Sequence, residues 1–213
     1  MKIIKPYFEI LTPINGGDVL RHIEQCGRVC YKSEGKITNG SAEKFIRSII
    51  TRGHESVLEH FSVTVKFVVD RGVSHEIVRH RLASYSQEST RYCNYTKEQF
   101  GEEITVIEPF YLLSRPIEYS KWQAACAVAE YAYFDLISHG CTPQEARSVL
   151  PNSLKTEVVM TANLREWRHF FRLRTSAAAH PQIREVAIPL LFCMDKLIPA
   201  VFSDLLPVKE HTL

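Results

Sequence analysis

Between residues 61 and 69 the chain alternates. Phe61, Val63, Val65, Phe67 and Val69 are apolar, while Ser62, Thr64 and Lys66 are polar. A period of two sends alternate side chains to opposite faces, so this segment is expected to be a strand with one buried face. A different period governs NLREWRHFFRLR, residues 163–174. There Leu164, Trp167, Phe170 and Phe171 share one helical face, and Arg165, Arg168, His169 and Arg172 the other. Phe45, Ile46, Ile49 and Ile50 likewise share a helical face, with Ser41 as the expected N-cap and Gly53 as the stop. Residues 117–139 are Ala-rich, carry Trp122, Cys126, Tyr133 and Leu136, and end at Gly140, which predicts a long helix. Thr142-Pro143-Gln144-Glu145 is a capping box with proline at the first helical position, and Pro151 is the expected end of that helix.

The remaining elements follow from weaker signals. The opening MKIIKPYFEILTPI is expected to be a strand broken by Pro6, and DVLRHIEQCGRVCYKS a short helix. Residues 33–41 are a polar loop. Asp70-Arg71-Gly72 is read as a turn, VSHEIVRHR as a short helix and EITVIEPFYLL as a further strand. LKTEVVMTA is read as helical, with an extended form as the alternative. A last helix is expected from Pro181 to Phe202, kinked at Pro189, and the VKEHTL tail is expected to fray. The sum is an α+β chain, one domain spanning 1–213, with helices around a small mostly antiparallel sheet.

Composition narrows the function classes. A hydrophobic share of 45% is ordinary for a globular protein and supports a sizeable core. A net charge of only +2 disfavours a general nucleic-acid binder, so any basic site must be a local concentration. The longest apolar stretch, AIPLLFCM, is too short to span a bilayer. Six cysteines without a C-x-x-C pair, and an N-terminus without a signal-peptide pattern, predict a cytoplasmic protein with free thiols.

Three clusters concentrate polar chemistry. HESVLEH, residues 54–60, resembles a zinc-protease helix, but His54 and His60 lie six residues apart and would face different sides of an α-helix. RHRLASYSQESTRY, residues 79–92, combines cations, hydroxyls and Gln87. Three readings stay open there: a solvated loop, a nucleotide or phosphate site, and a nucleic-acid contact. The third cluster runs from Arg147 through Asn163, Arg165, Arg168, His169, Arg172, Arg174 and His180 to Arg184. The helical face of Arg165, Arg168, His169 and Arg172 has only Glu166 nearby in sequence, which points to anionic ligands, with a solvated face as the alternative. No G-x-G-x-x-G and no P-loop motif is present, so neither a Rossmann nor a P-loop phosphate cradle is expected.

Arg79-His80-Arg81, seven residues and then Ser89 resembles the R-H-R-x7-S signature of flavin-dependent thymidylate synthases, the ThyX family. Ser84, Ser89, Arg91 and Tyr92 fit the longer family pattern. GHESVLEH upstream and ARSVLP, NLREWRHFFRLR and AAAHPQIRE downstream resemble family blocks in the same order. The resemblance implies a non-Rossmann fold and reductive methylation of dUMP to dTMP. It implies bound FAD, NADPH as reductant, 5,10-methylenetetrahydrofolate as carbon donor, and a homotetramer with active sites shared between subunits. It implies no metal, nucleic-acid or membrane partner.

By position, the resemblance assigns Ser56, Glu59, Arg79, His80, Arg81, Gln87, Asn163, Arg165 and His169 to FAD. It assigns Glu76, Arg79, Gln87, Glu88, Ser89, Thr90, Arg91, Arg147 and Arg174 to dUMP, with Arg174 as the catalytic residue. His54 falls where the folate and nicotinamide approach. No cysteine follows a proline, in keeping with a reaction that uses no thiol nucleophile. Two positions depart from common family forms: Ser86-Gln87 stands where many members have Asn-Glu, and His169 where some have Asn.

Overall fold

The computed structural model describes residues 1–98 and 101–207; the VKEHTL tail, 208–213, and its expected fraying lie outside them. It contains strands β1 (Lys2–Ile4), β2 (Tyr7–Ile10), β3 (Ser62–Asp70), β4 (Ala83–Gln87), β5 (Thr105–Ile107) and β6 (Lys155–Asn163). The helices are α1 (Gly16–Val29), α2 (Ser41–Thr51), α3 (Arg71–Ile77), α4 (Pro116–Ser138), α5 (Pro143–Ala146), α6 (Leu164–Arg174), α7 (Pro181–Leu197) and α8 (Pro199–Phe202). This is an α+β chain, mostly helix. β1 pairs with β5 in parallel, Ile3 opposite Val106, and the other strands follow the order β2-β3-β6-β4. The mostly antiparallel expectation therefore has at least one parallel exception.

Internal contacts divide the chain into two compact units, each assembled from separate segments. The first comprises Met1–Glu9, Lys66–Arg79 and Tyr85–Met160. Its core joins Tyr95, Ile104, Val106, Cys126, Tyr133, Ala146 and Leu154. Helix α4 is tied to it by Trp122, whose Nε1–H donates to Ser153 Oγ at 2.8 Å. The second unit comprises Ile10–Val65, His80–Ser84 and the chain from Thr161 onward. There α6 buries Trp167, Phe170 and Phe171 completely, and Phe202 of α8 meets Phe171 edge-on at 5.7 Å. Trp167 Nε1–H donates to the carbonyl of Val63 at 3.0 Å, so the largest apolar side chain of the helix is also satisfied at its polar end.

Most predicted elements are present, and several limits need correction. Residues 155–163 are strand, not helix: Thr156, Val158, Met160 and Ala162 are buried in strict alternation. Asp70 ends β3 and accepts from Val73 N–H at 2.6 Å, so the Asp-Arg-Gly step is a helix cap rather than a free turn. Gly40, at φ 84°, caps α2, whereas Ser41 is its first helical residue and donates to Glu24 at 2.8 Å. Gly53, at φ 72°, does stop the helix: its N–H bonds Ile50 and that of His54 bonds Ile49. Helix α5 is a single turn that gives way at Arg147, well before Pro151. The last helix continues through Pro189 but breaks at Ile198, before Pro199. Residues 55–60 form a 3-10 helix rather than an α-helix.

Candidate active site

The two groups of predicted ligand residues fall largely in different units. Glu59, Asn163, Arg165 and His169 line a cavity of about 710 Å³ in the second unit, together with Glu55, Leu82, Glu166 and Arg172. Asn163 is set there by the end of β6: its side chain accepts from Glu166 N–H at 2.9 Å and caps α6. The helix then presents Arg165, His169 and Arg172 at successive turns. Ser56 and His54 line a second cavity of the same unit, about 860 Å³, whose wall includes the cations Arg28, Lys36, Lys44 and Arg52.

The basic face of α6 is less unbalanced than its sequence implies. Arg165 donates to Glu59 at 2.6 Å and Arg172 to Glu55 at 2.7 Å. Arg168 is not on a solvated face at all: it is fully buried. Its Nη atoms form a two-pronged pair with Asp204, both bonds 2.7 Å, and Nη2 also reaches Glu55 at 3.2 Å. Nη1 further donates to the Val201 carbonyl. Burial pushes the Glu55 carboxyl up, but the bonds from Arg172 and Arg168 outweigh it and hold the group below its usual range. The same opposition of burial and Arg168 holds Asp204 down.

His80 is buried, and both ring nitrogens are engaged. Nδ1 lies 3.1 Å from Glu166 Oε1, and Arg174 Nε–H donates to Nε2 at 3.1 Å. Burial, then the charges of Arg174 and His169, push the imidazole pKa down to about 4. A neutral ring at neutral pH follows. His80, Glu166 and His169 bring ligand-type atoms within 4.8 Å of one another.

This yields a pH prediction. Between pH 6.5 and about 4 the unfolded imidazole binds a proton that the folded one refuses, so His80 makes stability fall as pH falls through that window. Glu166, raised mainly by burial, acts with the opposite sign. The His80 ring resonances are therefore expected to stay flat from pH 8 to about 5 in an NMR titration. Urea unfolding of His80→Gln should show a shallower loss of stability on acidification than the parent protein.

In the first unit, Glu76 lies on α3 and Arg79 just beyond its end, where the Arg79 N–H bonds the Glu76 carbonyl at 3.3 Å. Gln87, the last residue of β4, donates to Ser74 at 3.0 Å and Thr156 at 3.3 Å. The Glu88 carboxylate accepts from Lys155 at 2.9 Å and Tyr95 at 3.1 Å. Ser89 accepts the N–H groups of Tyr92 and Cys93 on its carbonyl and that of Arg91 on Oγ, so it shapes a turn. Thr90 is buried at 3.5 Å from Arg147 Nη1. Arg91 and Arg147 are both exposed, two guanidinium forks carried by the same unit.

The sequence marks Arg174, Arg81, Arg165 and His169 as ligand residues and puts Glu55 in a polar cluster, but it does not mark Leu82 or Glu166 as neighbours of the site. Leu82 follows Arg81 directly, but only its 74% exposure, a property of the folded chain, sets it apart from a core leucine. Glu166 sits at N3 of a helix capped by Asn163, where an acid usually needs no further explanation.

The cavity sets Arg165, Arg172, His169 and Asn163 beside Glu55, Glu59 and Glu166, a polar wall of mixed charge on an α+β frame whose sequence has no glycine-rich phosphate loop. Residues 16–200 match the family described as thymidylate synthase complementing protein. The chain is 34% identical to the flavin-dependent thymidylate synthase of Geobacter sulfurreducens over 184 residues, 83% of this chain and 78% of the relative. It is 38% identical to that of Pyrococcus furiosus, covering 82% and 71%, and 36% identical to that of Mycolicibacterium gilvum, covering 93% and 84%. The chain belongs to the flavin-dependent thymidylate synthase family.

Proposed function

We propose that this protein methylates dUMP to dTMP, with FAD as its bound cofactor, 5,10-methylenetetrahydrofolate as carbon donor and NADPH as reductant. The observation that carries the reading is the meeting of Glu59, Asn163, Arg165 and His169 on one cavity wall, from segments about a hundred residues apart. That wall fits a dinucleotide with a polar ring: the guanidiniums suit its phosphates, and the Asn163 amide and His169 imidazole suit ring edges that both donate and accept. When bound, FAD supplies the hydride chemistry. Ser56 and Arg81 complete the same set, and His54 serves the folate.

In the first unit, Arg91 and Arg147 hold the dUMP phosphate, while Gln87, Ser89 and Thr90 supply neutral hydrogen bonds. Glu76 and Glu88 orient the nucleoside. Arg174 stabilises negative charge on the uracil as it develops around N3 and O4, which makes C5 nucleophilic without a thiol adduct. The C5 hydrogen leaves as a proton, and tetrahydrofolate and NADP⁺ are the other products. The active assembly is a cytoplasmic homotetramer whose subunits share sites. Among the described residues no helix is long and apolar enough to cross a membrane.

The test is direct. The purified protein should show the absorbance of oxidised flavin and release tritium from C5-labelled dUMP only when methylenetetrahydrofolate and NADPH are both present. A colourless protein that takes up no added FAD would sink the reading. Nucleic-acid binding with a steep salt dependence would favour the alternative use of the arginine clusters.

A further inference from the structure

We infer that Glu166 is a positioning residue for the proposed reaction: it fixes the tautomer of His80, and His80 in that tautomer orients Arg174. The inference rests on the role of Arg174 at the uracil proposed above. Its own basis is a chain of two hydrogen bonds within the second unit. An arginine Nε–H can only donate, so His80 Nε2, 3.1 Å away, must carry a bare lone pair. The ring proton therefore sits on Nδ1, which faces Glu166 Oε1 at 3.1 Å. An ionised carboxylate offers only acceptors and holds the proton on that side. The opposite tautomer would point two N–H groups at each other across the Arg174 contact and leave Nδ1 facing a carboxylate with no proton between them.

The surroundings leave the ring little other choice. Phe170 packs against it at 5.0 Å and His169 edge-on at 5.5 Å between centroids. Glu166 is itself set by α6, because its backbone N–H is bound by the Asn163 cap, and as a helix N3 residue it sits where negative charge is favoured. The charged groups that face the relay are Arg174 and His169 beside the imidazole, and Glu55, Glu59, Arg165 and Arg172 on the cavity wall that Glu166 shares. The bond to Nε fixes the orientation of the guanidinium plane that would meet a pyrimidine N3 and O4. Protonating His80 would remove the acceptor and set one cation against another. The relay thus works only with a neutral ring in one tautomer.

Glu166→Gln is the discriminating change, because it keeps shape while presenting either a carbonyl or an NH₂ group to Nδ1. The flavin-loaded protein is labelled with ¹⁵N-histidine, and the His80 signals are assigned by their loss in His80→Gln. In the parent protein Nδ1 is expected to be protonated and Nε2 bare. In Glu166→Gln the side-chain NH₂ can face Nδ1 and draw the ring away from Arg174, so the two tautomers should mix, and kcat for tritium release per bound flavin should fall about 10- to 100-fold. An Nε2-protonated ring in the parent protein would overturn the relay outright. So would a Glu166→Gln protein that mixes tautomers yet turns over at the parental rate, or one that keeps both tautomer and rate. If Glu166→Gln does not fold, Glu166→Ala is read by the same two measurements with the same outcomes. The tautomer reading needs no catalysis, so a parent protein with the expected ring but no tritium release would refute the proposed reaction and not the bond chain.

Discussion

Replacing Arg174 by alanine is expected to lower turnover about 10³-fold while FAD stays bound. The loss should appear in kcat more than in the KM for dUMP, because the guanidinium is needed where charge develops rather than where the ground-state nucleotide is held. Arg174→Lys keeps a positive charge but gives up both the Nε–H that His80 accepts and the planar two-pronged edge. It should therefore recover little of the activity. A second signature separates this loss from general damage. The Arg174 charge is one of the causes that depress the His80 pKa, so in Arg174→Ala the His80 ring should titrate higher than in the parent protein. Full activity in Arg174→Ala would remove the residue from the mechanism whatever the NMR showed.

How much of this was legible in the sequence depends on the range of the forces involved. The alternation at 61–69 and the helical period at 163–174 are local, and β3 and α6 appear close to where those patterns put them. Strand β6 departs from the helical expectation for a physical reason. Its buried side chains are Thr156, Val158, Met160 and Ala162, two of them barely apolar, and Val159 on the outer face blurs the alternation. It also runs into α6 at Asn163 with no glycine or proline to mark the change. The cluster of arginines on α6 was visible, but its partners were not. Glu55 lies 113 residues from Arg168 and Asp204 lies 36 residues away, distances at which no periodicity speaks. His80 shows the same limit. Its residue type and neighbours mark a ligand site, whereas its two bonds, to residues 86 and 94 positions away, make it an internal bridge.

The pairing of Arg168 carries the largest expected effect on stability. Its side chain has no exposure, while Asp204 is half exposed, so the cost of disrupting the pair falls mainly on the arginine. Asp204→Ala removes two 2.7 Å bonds and leaves the buried charge with Glu55 and the Val201 carbonyl. Breaking one side of a buried pair typically costs about 3 kcal/mol, which for a chain of this length corresponds to roughly 6–12 °C in Tm. Thermal unfolding followed by circular dichroism reads the shift directly. If the charge left behind is the cause, Arg168→Met with Asp204→Ala should lose clearly less than the two single changes added together. The pH dependence has a fixed sign. Asp204 and Glu55 are held below their usual range in the folded protein, so the stability they contribute is present at neutral pH and is lost as pH falls below the ordinary carboxylate pKa. Asp204→Ala should flatten that acid limb. An unchanged Tm in Asp204→Ala would mean that water or Glu55 alone satisfies Arg168, and that this C-terminal contact contributes nothing to holding α6 in place.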